Sequence, residues 1–236
     1  MDNNEASDNG NHQVKLIGIC DPSYRAHRFI LLLFIISLSF GTYFCYDIPA
    51  ALQDVFIQQL DMSFTQFTML YSFYSIPNIL FGFIGGVLID RVFGIRIGTI
   101  IFSSIVTTGQ LIFAIGAFTN QLWIIYLGRF IFGIGGGITA ISGSTFAAKW
   151  FKSKELNLVF GLQLCLARMA STICLNLLFP INNMIRNFLD PDSSANQVIG
   201  FTLIIALLTC VYSLLCAIIL AYFDYRGDRL LKRQKV

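Results

Sequence analysis

An arginine stands deep inside one of the long apolar stretches of this chain. Arg168 lies 12 residues after Leu156, or about 18 Å along a helix. A guanidinium near the middle of a bilayer costs at least about 2.5–3.5 kcal/mol and must face a cavity or a partner. It suits two-point binding of a carboxylate. We therefore predict that Arg168 binds a substrate carboxylate. The alternative is a buried ion pair, with Asp47 as candidate partner, that only fixes the fold.

Asp47 precedes Pro49 in the first apolar stretch and shares a helical face with Tyr43 and Asp54. A proline inside a helix removes one backbone hydrogen bond and frees a carbonyl, so we predict a kink here. Asp47 could bind a substrate amine, titrate or pair with an arginine, and the sequence leaves these three roles open.

Polar and small residues recur at helical spacing in the second and fifth stretches. Such faces are turned toward other helices or a water-filled cavity. Many of them only allow close helix packing. Four residues exceed what packing requires: Tyr74, Asn78, Arg168 and Asn176. Pro77 is predicted to kink the second helix, as in helices that gate. The candidate substrate-binding residues are Arg168, Asp47, Tyr71, Tyr74, Asn78 and Gln163.

The sequence contains no nucleophile–base constellation, phosphate-binding loop or metal-ligand spacing. We expect no cofactor, no metal site and no enzymatic activity. The six cysteines are predicted to be free thiols that pack as small apolar side chains.

Composition defines the elements that position these residues. The chain is 56% hydrophobic and 12% charged, which excludes an ordinary soluble domain. Runs of about 20 apolar residues cross a bilayer, and continuous runs of this kind do so as helices. We predict an all-α polytopic membrane protein, a bundle of six transmembrane helices. The six segments are 29–58, 63–89, 97–118, 121–148, 156–180 and 199–223.

Most of the 16 lysine and arginine residues fall on one side of the predicted bundle. By the positive-inside rule both termini are cytoplasmic. The net charge of +3 is this topology signal and indicates no nucleic-acid partner. The predicted organisation is a disordered cytoplasmic N-terminus (1–24), a membrane domain (25–224) and a basic cytoplasmic tail (225–236).

A charged turn joins the second and third stretches, and a glycine-rich run fills the fourth. The charged turn resembles the cytoplasmic signature loop of major facilitator transporters. The charged side chains of that loop hold helix ends together and bias the equilibrium between the inward-open and outward-open forms. The fourth-stretch pattern resembles a motif of the same family, and we predict a structural role for it. The loop residues are Gly86, Asp90, Arg91, Gly94 and Arg96, and the fourth-helix residues are Arg129, Gly133 and Gly136.

Longer ordered blocks at 20–28, 43–53, 88–96 and 150–164 resemble a lysosomal dipeptide carrier group within this superfamily. The resemblance implies facilitative dipeptide export at the lysosomal membrane, with a heavily glycosylated accessory membrane protein as partner and lipid around the bundle. It also implies that Arg168 takes the dipeptide carboxylate. The group places an acidic residue for the amine where this chain has Gly137.

Several alternatives remain open. Arg168 without an acidic partner on the fourth helix favours an organic-anion carrier of the same superfamily. Major facilitators have two six-helix halves with the site between them, so this chain is expected to act as one half or as a dimer of halves. The partner helix of the signature loop is then expected in the other half. A non-transporting form that binds or regulates a full-length carrier or an accessory subunit is the third alternative.

Overall fold

The computed structural model describes residues 25–151, 154–189 and 194–233. The predicted N-terminal segment 1–24 lies outside these residues, as does the end of the basic tail. The helices are α1 (Arg25–Leu38), α2 (Phe40–Tyr46), α3 (Ile48–Ala51), α4 (Gln53–Gln59), α5 (Phe64–Leu88), α6 (Gly94–Thr119), α7 (Leu122–Trp150), α8 (Lys154–Phe188) and α9 (Ala195–Arg233), with a π-helical turn at Ile89–Phe93.

Among the described residues, five continuous apolar helical segments are long enough to cross a membrane. One of them, Phe64–Thr119, has 56 residues, enough for two crossings. Its halves run in opposite directions, because α5 packs parallel to α7 and α6 packs antiparallel to α7. Tyr126 near the start of α7 donates to the carbonyl of Gln66 near the start of α5 (3.0 Å), whereas Gly116 near the end of α6 lies against Ile125. The predicted all-α bundle of six crossings is confirmed.

The first crossing is a broken helix, made of α1 to α4. Asp47 separates α2 from α3 with backbone angles of φ −87° and ψ 0°, and Pro49 lies inside α3. A helical N–H at position 49 would donate to the carbonyl of Cys45, but proline has no N–H. The Arg129 guanidinium supplies the missing donor at 3.1 Å. The predicted freeing of a carbonyl in this crossing is therefore confirmed, and the helix breaks here rather than only bending. In the second crossing, α5 is helical on both sides of Pro77, and the kink predicted there stays a prediction.

Close approach of α6 and α7 forms the centre of the bundle. A Cβ atom on Gly128 would lie 2.5 Å from the backbone nitrogen of Phe113, and one on Gly109 would lie 2.5 Å from that of Phe132. These two glycines therefore let the backbones touch in the way that small residues do in membrane bundles. Phe113 and Phe132 fill the space beside them and are almost fully buried.

Gly128→Ala is expected to destabilise the bundle by about 1–3 kcal/mol, because the added methyl group pushes α6 away from α7. The thermal unfolding midpoint of the purified protein in detergent measures this. Gly82→Ala in α5 is the matched control, since a Cβ at Gly82 meets no atom within 4 Å and alanine is the better helix former. Equal loss of stability in both variants would contradict the close-packing account.

Candidate functional site

Arg168 lies on the face of α8 that points away from the described bundle. The side of α8 that packs against the other helices is formed by Gln163, Ala167, Ala170, Cys174 and Leu178, all buried. The opposite side is polar and exposed, and consists of Gly161, Cys165, Arg168, Thr172 and Asn176. No helix of this bundle therefore covers the polar stripe.

The Arg168 side chain makes no hydrogen bond or ion pair with any described residue; its backbone carbonyl accepts from Thr172 (2.9 Å). The ion pair with Asp47 that stood as the alternative is not formed within the described part of the chain. An unpaired guanidinium within a membrane crossing is costly unless water or a ligand reaches it. The arrangement therefore leaves Arg168 available to an anionic group.

A cavity of about 660 Å³ lies beside this stripe, between the first, fourth and fifth crossings. Gln163 and Ala167 of α8 line one wall, Tyr43 of α2 lines another, and Ala140 and Ser144 of α7 belong to the third. Small side chains on α7 leave the space open. Gln163 thus lies at this cavity, whose lining on α8 ends at Ala167, the residue before Arg168. Tyr71, Tyr74 and Asn78 lie elsewhere.

These three residues of α5 belong to a second cluster, against the break in the first crossing. Asn78 donates its amide N–H to the Tyr74 hydroxyl at 3.0 Å. The Tyr46 ring lies 4.8 Å from the Tyr74 ring and 5.9 Å from the Tyr71 ring, centroid to centroid. Sequence reasoning missed Tyr46. The usable signal was its position directly before Asp47, because a tyrosine next to an acidic residue is unusual inside an apolar stretch.

Asn78 also explains the surroundings of Gly137. A Cβ at Gly137 would lie 2.1 Å from the Asn78 side-chain oxygen, so the amide of Asn78 fills the space that a side chain on this part of α7 would need. A carboxylate cannot extend from position 137 without displacing Asn78. Any acidic group at this site must come from another helix.

Arg129 occupies the interior of the bundle and is 2% exposed. One guanidinium nitrogen donates to the Cys45 carbonyl, and the group stacks over the rings of Phe113 (4.3 Å) and Phe132 (5.7 Å). Gly133 lets α7 approach the Tyr74 carbonyl, and Gly136 lies near the Tyr74 hydroxyl. These contacts hold α7 against α2 and α5, and the structural role of this motif stays a prediction.

The signature loop forms the π-helical turn and the start of α6. Gly94 has φ +70°, a conformation that favours glycine, and the chain reverses direction there. Arg91 is exposed, Gly86 faces open space, and the side chain of Asp90 lies outside the described part of the structure.

Arg96 takes part in a charge cluster with α7 and α9. It donates to Asp224 at 2.5 Å and also pairs with Asp228. Lys149 binds Asp224 at 2.7 Å, and the Trp150 indole N–H donates to the same carboxylate at 2.7 Å. The expectation that the partner helix of the loop lies in another half is wrong for Arg96, whose partners are in this chain. We call this end of the bundle the charged end.

Sequence reasoning did not identify the acidic members of this cluster. Asp224 is completely buried, whereas Asp228 is partly exposed. The excess of basic residues in the tail predicts the orientation of the bundle in the membrane, but it does not identify which residues form ion pairs. The usable signal was the spacing of Asp224 and Asp228, because residues four apart lie on one face of a helix.

Comparison with known proteins agrees with this fold. A model of the Major Facilitator Superfamily matches residues 29–235. The chain belongs to the major facilitator superfamily. It is therefore a multi-pass membrane protein of a transporter family.

Similar curated proteins carry the name "Lysosomal dipeptide transporter MFSD1". The protein from Danio rerio is 46% identical over 237 residues, which cover 100% of this chain and 51% of the relative. Those from Mus musculus and Homo sapiens are 48% and 49% identical, over 93% of this chain and 47% of each relative. The chain thus spans about half the length of the curated relatives it matches.

Proposed function

We propose that this major facilitator chain is one half of a carrier that moves dipeptides out of the lysosome by alternating access, without coupling to an energy source. The observation that carries the proposal is the unpaired guanidinium of Arg168 on a polar stripe that its own bundle leaves open. The names of the relatives support the substrate class and the compartment. In this account Arg168 binds the carboxylate of the dipeptide.

The polar stripe of α8 needs a second surface. Carriers of this kind hold the substrate between two six-helix units near the middle of the membrane. We propose that the stripe and the cavity beside it face such a unit, which is either a following half or a second copy of this chain. The cavity at Tyr43 and Gln163 would then form part of a larger aqueous pathway.

Orientation and partners follow from the same account. We propose that the charged end, with Arg91, Arg96 and Lys149, faces the cytoplasm, since basic residues are retained on that side. Separation of Arg96 from the Asp224 carboxylate would accompany a change of the charged end between its open and closed forms. A glycosylated membrane protein in the lysosome is the proposed accessory partner.

A carrier for other organic anions is the second candidate. The observation that favours it is that α7 carries no acidic residue, while the Asn78 amide occupies the space beside Gly137, so α7 offers no carboxylate that would bind an amine. A carrier of simple organic anions would treat a dipeptide and its N-acetylated form alike. A dipeptide carrier would discriminate between them.

The proposal is tested by reconstitution into liposomes. Two preparations are compared: residues 1–236 alone, and residues 1–236 fused to the remaining half of the Danio rerio relative. The preparation that takes up a labelled dipeptide is called the reconstituted carrier. Saturable uptake above that of protein-free liposomes, inhibited by unlabelled dipeptide, is expected. Uptake by neither form would contradict the carrier function and favour a regulatory role. Equal uptake of free and N-acetylated dipeptide would favour the anion carrier.

A further inference from the structure

Asp47 is an unpaired carboxylate at the break in the first crossing. It is half-buried between α2 and α3, and no described residue forms a hydrogen bond or an ion pair with its side chain. A carboxylate within a membrane crossing is as costly as an arginine and marks a functional site by the same reasoning. It needs a cationic partner that the described residues do not supply by direct contact.

Three tyrosine rings stand next to this carboxylate. Asp47 lies within electrostatic range of the hydroxyls of Tyr71 and Tyr74, and Tyr46 is its neighbour in the chain. The Tyr46 ring is inclined by 76° to Tyr71 and by 53° to Tyr74. The rings are thus inclined to one another rather than stacked flat, and each of the three side chains is half-buried.

The partly exposed faces of these rings attract an organic cation. An ammonium group is stabilised over an aromatic face within about 6 Å of the ring centroid. The Tyr46 ring lies 4.8 Å and 5.9 Å from the other two, so the three rings are in contact, and a cation would bind on their exposed sides next to Asp47 rather than between them. Asp47 then supplies the opposite charge, and the Asn78 amide orients the Tyr74 hydroxyl.

Asp47 and Arg168 lie on neighbouring crossings, since α2 and α3 both pack against α8. Asp47 lies within electrostatic range of Cys174 on α8. Arg168 precedes Cys174 by six residues, about 9 Å along the helix axis. This axial offset is comparable with the length of an extended dipeptide, about 7 Å.

We propose that Asp47 and the rings of Tyr46, Tyr71 and Tyr74 form the site for the primary ammonium group of the cargo whose carboxylate is bound by Arg168. This inference rests on the proposed function and specifies its substrate class as small zwitterions with a free amino group. It also accounts for a dipeptide carrier that has glycine at position 137, because the acid comes from the first crossing instead of from α7.

Arg129 is the competing explanation for Asp47. Its guanidinium also acts on Tyr71 and Tyr74, so Asp47 could serve as a distant counter-charge that stabilises the bundle. Arg129 is buried between Phe113 and Phe132, and its Nε and one terminal nitrogen have no partner among the described residues. Against the counter-charge role, the guanidinium donates to the Cys45 carbonyl and forms no ion pair with Asp47. The two roles predict different effects of removing the carboxylate, since a counter-charge does not recognise the amine.

The test compares free and N-acetylated dipeptide in the reconstituted carrier. The ratio of the two initial uptake rates is measured below saturation, so that a loss of folded protein cancels. Wild type is expected to prefer the free amine. Asp47→Asn is expected to reduce this preference at least about tenfold, because a charge-assisted contact is lost. Tyr46→Leu is expected to reduce it about threefold or more, whereas Tyr46→Phe keeps an aromatic face and retains it.

The outcomes separate this inference from the proposed function. A wild-type carrier that moves dipeptides, with the same preference after Asp47→Asn, overturns the ammonium site and leaves the carrier intact. Equal losses for both substrates in Asp47→Asn, together with a lower thermal unfolding midpoint, assign Asp47 to balancing Arg129 and also overturn the site. No uptake of either substrate by wild type contradicts the proposed function and, with it, this inference.

Discussion

Arg168→Ala is expected to abolish dipeptide uptake by the reconstituted carrier. The guanidinium is unpaired in the described bundle, so its removal breaks no internal contact and leaves the fold unchanged. It does remove a two-point, charge-assisted contact to the cargo carboxylate, worth about 1.5–3 kcal/mol for each hydrogen bond. Uptake below saturation should fall at least about a hundredfold. Initial uptake rate, normalised to the amount of folded protein in the liposomes, is the measurement.

Two further variants control this result. Arg168→Lys keeps the positive charge but loses the planar fork, so it should retain only a small part of the activity. Arg186→Ala removes the same residue type from the far end of the same helix, where the side chain is exposed, and should leave uptake unchanged. Equal activity of Arg168→Ala and Arg186→Ala would remove Arg168 from the substrate site.

The second large effect is expected at the charged end. Asp224→Asn keeps the shape of the side chain but removes the charge that compensates Arg96 and Lys149. Breaking a buried ion pair on one side costs about 3–5 kcal/mol. We expect about 2–3 kcal/mol, because Arg96 and Lys149 are 28% and 35% exposed and water screens part of their charge. The thermal unfolding midpoint should fall by about 5–10 °C.

Asp228 is the matched control for this experiment. It pairs with Arg96 and Lys149 as well, but it is 35% exposed, whereas Asp224 is 0% exposed. Asp228→Asn should therefore cost about 1 kcal/mol or less. A similar fall in the unfolding midpoint for both variants would show that burial of Asp224 does not determine the stability of this cluster.

Helix number and the polar stripe could be predicted from the sequence because both depend on local patterns; that this bundle leaves the stripe uncovered could not. Each crossing needs about 20 apolar residues, and the stripe on α8 repeats at helical spacing around Arg168. The break in the first crossing was also predictable, since Pro49 cannot donate to the Cys45 carbonyl whatever surrounds it.

Pairings between distant residues could not be predicted in this way. Arg96 and Asp224 are separated by 128 positions, and no local pattern identifies which acid an arginine on another helix will meet. The partner of the signature loop was therefore expected in a second half, whereas α9 of this chain supplies it for Arg96. The Tyr46–Tyr74 contact was missed for the same reason, because it depends on how α5 packs against the broken helix.

The accessibility of Cys165 tests most directly whether the polar stripe of α8 lines an aqueous pathway. Cys165 is exposed and lies one turn from Arg168, while Cys45, Cys174, Cys210 and Cys216 are buried. With Cys20 replaced by serine, a charged, membrane-impermeant thiol reagent should label Cys165 in the reconstituted carrier, and dipeptide should slow the labelling. Labelling by an apolar maleimide but not by the charged reagent would place the stripe against lipid and contradict the carrier account.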